Sequence, residues 1–86
     1  MNFLVVVEVT LRRGIADPEG ATIERALPAL GFSGVSNVQA GKSLRMNVEA
    51  ENEDAAIEKA TALAERLLSN PVIEDAVARL AEVHAT

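Results

Sequence analysis

The residues able to do chemistry in this chain are few and scattered. Asp17 and Glu19 stand two apart in IADPEG, and Glu74 and Asp75 adjoin in NPVIED. A general acid–base pair needs two carboxyls aimed at one reacting atom. Neighbouring residues on a strand point to opposite faces, so Glu74 and Asp75 make a poor pair. Asp17 directly precedes Pro18, the arrangement of a helix N-cap followed by proline at the first helical position, and its carboxylate is expected on backbone N–H groups. Ser33, Ser36, Ser43 and Ser69 have only His84 as a candidate base, and His84 lies near the chain end, where tails fray. Nucleophilic catalysis therefore has no support. The stretch AGKS (Ala40 to Ser43) looks like the end of a phosphate-binding loop. That motif needs a glycine five places before Gly41, where Ser36 stands, and a helix after the lysine, where a strand pattern follows. Gly41 is instead expected to supply a positive φ in a hairpin turn. No catalytic, cofactor-binding or metal-binding residue is assigned. Arg12, Arg13, Lys42 and Arg45 read either as solvated surface or as a polar contact surface for a partner protein.

The totals narrow the classes further. The 86 residues suit one domain, spanning 1–86, with a core small enough that subunit association is a common supplement. The absence of cysteine removes disulfides and thiolate metal sites and fits a reducing cytoplasm. A net charge of −5 opposes binding to a phosphate backbone, and Phe3 and Phe32 are the only aromatics, so stacking platforms for single strands are missing. MNFLVVVEV has no basic leader and is broken by Glu8, and no run approaches the ~20 apolar residues of a membrane span. A soluble cytoplasmic protein, bound to neither nucleic acid nor membrane, is expected.

The elements that must position these residues follow from periodicity. FLVVVEVTL (3–11) is β-branched and reads as a strand with Phe3, Val5, Val7, Val9 and Leu11 on one face. Leu4 and Val6 on the other face need another cover; they read either as a scattered exposed apolar pair or as a sheet face packed against another subunit. Ile23, Leu27 and Leu30 recur at helical spacing, with Gly31 closing the helix in a left-handed conformation. Pro28 is costly inside a helix, so a kink or loosening is expected around 24–27. VSNVQA and SLRMNVEA read as a hairpin around Gly41-Lys42. NEDAAIEKATALAERLL is the strongest helix, with Ile57, Ala60, Ala64 and Leu67 as its stripe, widened by Leu63 and Leu68, ending near Asn70 because Pro71 follows. The segment 72–83 admits two readings: a helix with Ile73, Val77, Leu80 and Val83 in a stripe, or a strand with Ala76, Ala78 and Leu80 on one face.

Four pieces, VEVTLRRGIADPEG, ALPALGF, AGKSLRMNV and LLSNPVIED, resemble in order and spacing PurS, the small subunit of bacterial phosphoribosylformylglycinamidine synthase. The likeness runs from about Phe3 to Glu82. It places Asp17, Pro18 and Gly20 in the turn into the first helix, Gly41 and Lys42 in the hairpin, and Asn70, Val72, Ile73 and Glu74 in the last motif, beside Pro71. Pro28 and the absence of aromatic residues from DAVARLAEV depart from the family pattern. The resemblance implies a chain with no active site of its own, in a complex that uses ATP and magnesium elsewhere to make formylglycinamidine ribonucleotide. A glutaminase subunit and a large synthetase subunit are the implied partners, which this chain, as a homodimer or higher oligomer, would bridge to support ammonia transfer. Lys42, Arg45, Asn70 and Glu74 are the candidate partner contacts.

The expectation is then an α+β, ferredoxin-like β-α-β-β-α-β sandwich, an antiparallel sheet with two helices on one face, dimerising through the sheet. The missing last strand of that order favours the strand reading of 72–83. Two other functions suit the same fold: a small-molecule-sensing regulatory domain of the ACT type, for which the loop RRGIADPEG is the one candidate feature, and a plain oligomerisation module.

Overall fold

The computed structural model describes residues 1–81. Strand β1 (Asn2–Leu11) lies at the centre of a three-stranded antiparallel sheet, with β2 (Gly41–Glu49) on one side and β3 (Glu74–Leu80) on the other. Helix α1 (Pro18–Ala26) falls between β1 and β2, and helix α2 (Glu53–Leu63) between β2 and β3. The register runs from Asn2 opposite Glu49 to Thr10 opposite Gly41, and from Val5 opposite Leu80 to Leu11 opposite Glu74. A strand covered on both edges and partly on both faces tolerates a nearly continuous apolar run, and Val5, Val6, Val7 and Val9 are all buried.

One face of the sheet carries the core. Val5, Val7 and Val9 stand there with Val48, Met46 and Leu44 of β2 and with Ala76, Ala78 and Leu80 of β3. Helix α2 closes that face with Ala56 and Ala60, and Ala64 just beyond it continues the stripe, none of the three more than 1% exposed. Alanines at this spacing form a flat stripe that brings the helix backbone close to the strands, so the core is thin. Asn52 caps the helix, its Oδ1 accepting from the Ala55 N–H at 2.8 Å. Each fully buried valine contributes roughly 1.5–3 kcal/mol, an upper estimate against an extended unfolded chain.

The last turn of this second helix is wider than α-helical. Residues 64–68 form a π turn, in which the Ser69 N–H and hydroxyl both donate to the Ala64 carbonyl at 2.9 Å. The wider turn shifts the helical phase. Leu68 therefore packs against the core, while Leu67, expected in the stripe, is 74% exposed.

Three further expectations change. Residues 35–40 do not pair as a strand, so no hairpin forms; Gly41 and Lys42 already belong to β2. Gly41 does not take positive φ, and its lack of a side chain serves close approach instead, since a Cβ would lie 2.5 Å from the Val9 carbonyl oxygen. Val6, expected to need an outside cover, is 2% exposed within the chain, with Arg45 and Arg79 directly opposite on the flanking strands. The aliphatic stems of those arginines are the groups placed to cover it. Other readings hold. The first helix stops at Ala26, and Pro28 opens a 3-10 turn that Gly31 ends at φ 86°. The final strand starts at Glu74 rather than at 72, and the part of that expectation beyond residue 81, with His84, lies outside the described residues.

Replacing Ala60 by Leu forces a branched side chain between helix and sheet. The expected loss is about 1–3 kcal/mol, read as a lower urea midpoint at unchanged slope; a wild-type midpoint would mean that the helix does not sit on the sheet as described.

Candidate functional site

Three of the four motif stretches, far apart in sequence, meet at one end of the sheet. Asp17, Pro18 and Glu19 from the turn into α1, Ala40, Gly41 and Lys42 from the start of β2, and Glu74 from the start of β3 border a groove of about 310 Å³. Val9 and Leu11 of β1 form its floor. A neighbouring cavity of about 380 Å³ lies behind it, between the Arg12–Ile15 loop and residues 37–39. Asn37 bends the chain there at φ 57°, a left-handed conformation that asparagine tolerates better than most residues.

Asp17 organises this end. Its Oδ1 accepts from the Gly20 N–H and its Oδ2 from the Ala40 N–H, both at 2.9 Å. The Gly20 amide, then the Ala40 amide, hold its carboxyl below the usual aspartate value. Glu24, about two turns further along α1, accepts from the Val38 N–H at 2.9 Å. Two carboxylates on one helix thus grip alternate amides of one extended segment. Gly20 lets the two backbones close up, because a Cβ there would stand 2.3 Å from the Val38 carbonyl oxygen. The helix packs along residues 38–40 rather than across the strands. Glu24 was missed in the sequence because a glutamate on a helix flank reads as solvated surface, and its amide partner lies fourteen residues away.

The candidate contact residues separate into two kinds. Asn70 and Glu74 are occupied in their own turn: Asn70 Oδ1 accepts from the Val72 N–H, and the Asn70 N–H donates to Glu74 Oε1 at 2.7 Å. Pro71 sits in this turn, which carries the chain from α2 into β3. Lys42 and Arg45 are exposed. Lys42 stands opposite Val9, on the groove side, whereas Arg45 stands opposite Val6 on the other face, so the fold does not bring these two together. Arg12 ties β1 to β3 through Glu74 and Asp75, with its Nε 3.5 Å from Asp75 Oδ1; Arg79 pairs with Glu8 at 2.8 Å on the open face. Both pairs are half exposed and contribute little to stability.

Among the described residues no polar side chain is buried, no group of three carboxylate or imidazole side chains is placed to share a metal ion, and no helix is long and apolar enough to cross a membrane. The fold and the site define a small α+β domain whose motif residues bind backbone amides and border an exposed groove. Residues 4–82 match the family PurS, phosphoribosylformylglycinamidine (FGAM) synthase. The PurS subunit of Methanocaldococcus jannaschii phosphoribosylformylglycinamidine synthase is 41% identical over 85% of this chain and 88% of its own length, and that of Mycobacterium leprae is 41% identical over 81% and 85%. The crystal structure of the Thermotoga maritima PurS subunit superposes with a TM-score of 0.85 at 37% identity, covering 94% of this chain and 93% of that one. A chain in the structure of PurLQS from the same organism gives 0.84 at 37% identity, with 94% and 99% covered. The chain belongs to the PurS family of phosphoribosylformylglycinamidine synthase subunits, not to the ACT-type regulatory class.

The double bond to Asp17 sets a measurable pattern. Asn keeps one acceptor oxygen but turns the other into a donor facing an amide donor, so Asp17→Asn should lose hydrogen-exchange protection at one of the amides of Gly20 and Ala40, and Asp17→Ala at both. Wild-type protection at both amides in Asp17→Ala would refute the clamp. Because the folded carboxyl titrates below its unfolded value, its stabilisation is complete above about pH 4 and is lost as pH falls further through the folded value. That acid limb should be missing from the stability profile of Asp17→Asn.

Proposed function

We propose that this chain is a non-catalytic subunit of phosphoribosylformylglycinamidine synthase that bridges a glutaminase subunit and a large synthetase subunit, in the cytoplasm, as a homo-oligomer. The reaction joins nitrogen from glutamine to formylglycinamide ribonucleotide at the expense of ATP, with magnesium held by the synthetase partner. The chemistry makes a bridge useful. Ammonia released into neutral water becomes ammonium, which is not a nucleophile, so the site that releases it and the site that consumes it must be held together. The observation that carries the reading is the convergence of three of the four motif stretches on one exposed groove, where the carboxylates of Asp17 and Glu74 accept from backbone amides. Residues that bind and orient a partner fit such a place; a residue that must exchange protons with a substrate does not.

In this reading Lys42 is the free cation at the groove, Arg45 a contact on the opposite face, and Asn70 with Glu74 a rigid corner presented to a partner. Mixed with its glutaminase and synthetase partners, the chain should raise the glutamine-dependent amidation rate and leave the rate with added ammonium salt unchanged. An unchanged glutamine-dependent rate, with all components soluble, defeats the proposal. Lys42→Ala and Arg45→Ala should each weaken assembly by up to about fivefold, with a salt dependence, as exposed ion pairs do.

A further inference from the structure

We propose that the cavity between the Arg12–Ile15 loop and residues 37–39 is a binding site for a small sugar phosphate, whose phosphate is held by Arg13. The site belongs to this chain alone and does not depend on its place in the synthase.

The cavity holds about 380 Å³, within the range of small-ligand sites, about 300–1,000 Å³. Its two walls come from stretches far apart in sequence. One is the turn that ends β1, closed by the Ile15 N–H donating to the Arg12 carbonyl at 3.1 Å. Gly14 stands in it at φ 88°, which leaves Arg13 at the corner of the turn. The other wall is the segment by which the chain returns to β2 from the arm formed by α1 and its 3-10 turn. Asn37 stands there as the one non-glycine residue of left-handed conformation among the described residues. Backbone outliers of this kind gather at ligand sites.

Both walls are fixed from outside the cavity. The Arg12 N–H donates to the Ile73 carbonyl at 2.8 Å and its Nε to the Glu74 carbonyl at 3.3 Å, which ties the loop to the start of β3. Glu24 and Asp17 hold the opposite wall through the amides of Val38 and Ala40. Walls that are already in place lose little affinity to ordering when a ligand enters.

The lining selects the ligand. In a chain of net charge −5, this cavity is bordered by the guanidinium groups of Arg12 and Arg13 and by one carboxylate, that of Asp17. Both oxygens of the carboxylate already accept from backbone amides, so they do not compete for the arginines. Arg12 engages Glu74 and Asp75 through its Nε, whereas Arg13 forms no ion pair among the described residues. The planar fork of an arginine meets two phosphate oxygens at once. A second guanidinium and the side-chain amides of Asn37 and Gln39 leave donors for a third oxygen, which a carboxylate lacks. The carbonyl oxygens of those amides accept from hydroxyls, which suits a sugar. No aromatic side chain lines the cavity, so it offers no platform for a base, and a sugar phosphate fits it better than a nucleotide.

The test is titration of the whole chain with ribose 5-phosphate at constant ionic strength, followed by melting temperature and by backbone amide resonances. With about 10 mM probe and a dissociation constant of about 1 mM, the melting temperature should rise by roughly 5–10 °C. The resonances of Arg13, Gly14, Asn37 and Gln39 should move. Arg13→Ala should weaken binding about tenfold or more and leave the far-ultraviolet circular dichroism unchanged. Arg66→Ala, which removes the same charge from the exposed π turn, should bind as the wild type does. Ribose should give no response, and L-glutamate should bind at least about tenfold more weakly than the sugar phosphate. Four results would each overturn the proposal: no response to ribose 5-phosphate, an equal loss in the two arginine variants, resonance shifts confined to other parts of the chain, or L-glutamate binding as tightly. None of these bears on the glutamine-dependent rate, so failure of this site and failure of the complex-subunit reading are told apart.

Discussion

The rest of the structure depends on β1 being a central strand. It pairs along almost its whole length with β2 and along most of it with β3, and it supplies Val5, Val7 and Val9 to the core. Because side chains alternate, its register sets which residues of the flanking strands face α2 and which face outward. Its C-terminal end also lies where β2 and β3 begin, so the residues just beyond each strand are delivered to one place. The groove is a consequence of that antiparallel order: Lys42 enters from one neighbour, Glu74 from the other, and Asp17 from the loop that leaves β1 itself.

A second constraint acts on the arm. In a chain this short the core is small, and the protomer places only α2 across its strands. The first helix is spent differently, on two carboxylate grips and one glycine contact with an extended segment that pairs with no strand. Those bonds satisfy alternate amides of the segment and set the direction in which the arm leaves the sheet. They explain why a helix with a passable apolar stripe keeps that stripe in solvent within a single protomer.

Much was legible in the sequence because it rests on local geometry. The cap at Asp17, the stop at Pro28, the left-handed Gly31 and the end of the second helix before Pro71 all follow from what one residue allows its neighbours. The strand reading of the last segment came from the order of the elements and from family likeness, since its alanines favour helix locally. The hairpin failed for a physical reason. Residues 35–40 have strand-like composition, but pairing needs a partner edge, and Asn37 turns the chain out of line while α1 takes the amides of Val38 and Ala40. The misplaced Leu67 has its cause in the π turn, which no spacing rule for an α-helix anticipates.

The sequence by itself determined the class: a small acidic α+β domain, without cysteine or a reactive constellation, whose four motif stretches mark it as PurS-like. Those properties are set by composition and by neighbours within a few residues. Only the tertiary structure decided that Asp17, Lys42 and Glu74 share a groove, that Asn70 and Glu74 lock each other in a turn, that Val6 is buried with Arg45 and Arg79 opposite it, and that α1 stands off its own sheet. Each of these joins residues tens of positions apart or turns on which amide reaches which carboxylate first. Such choices depend on strand register and on close backbone approach, which the pattern of side chains along one chain does not encode locally.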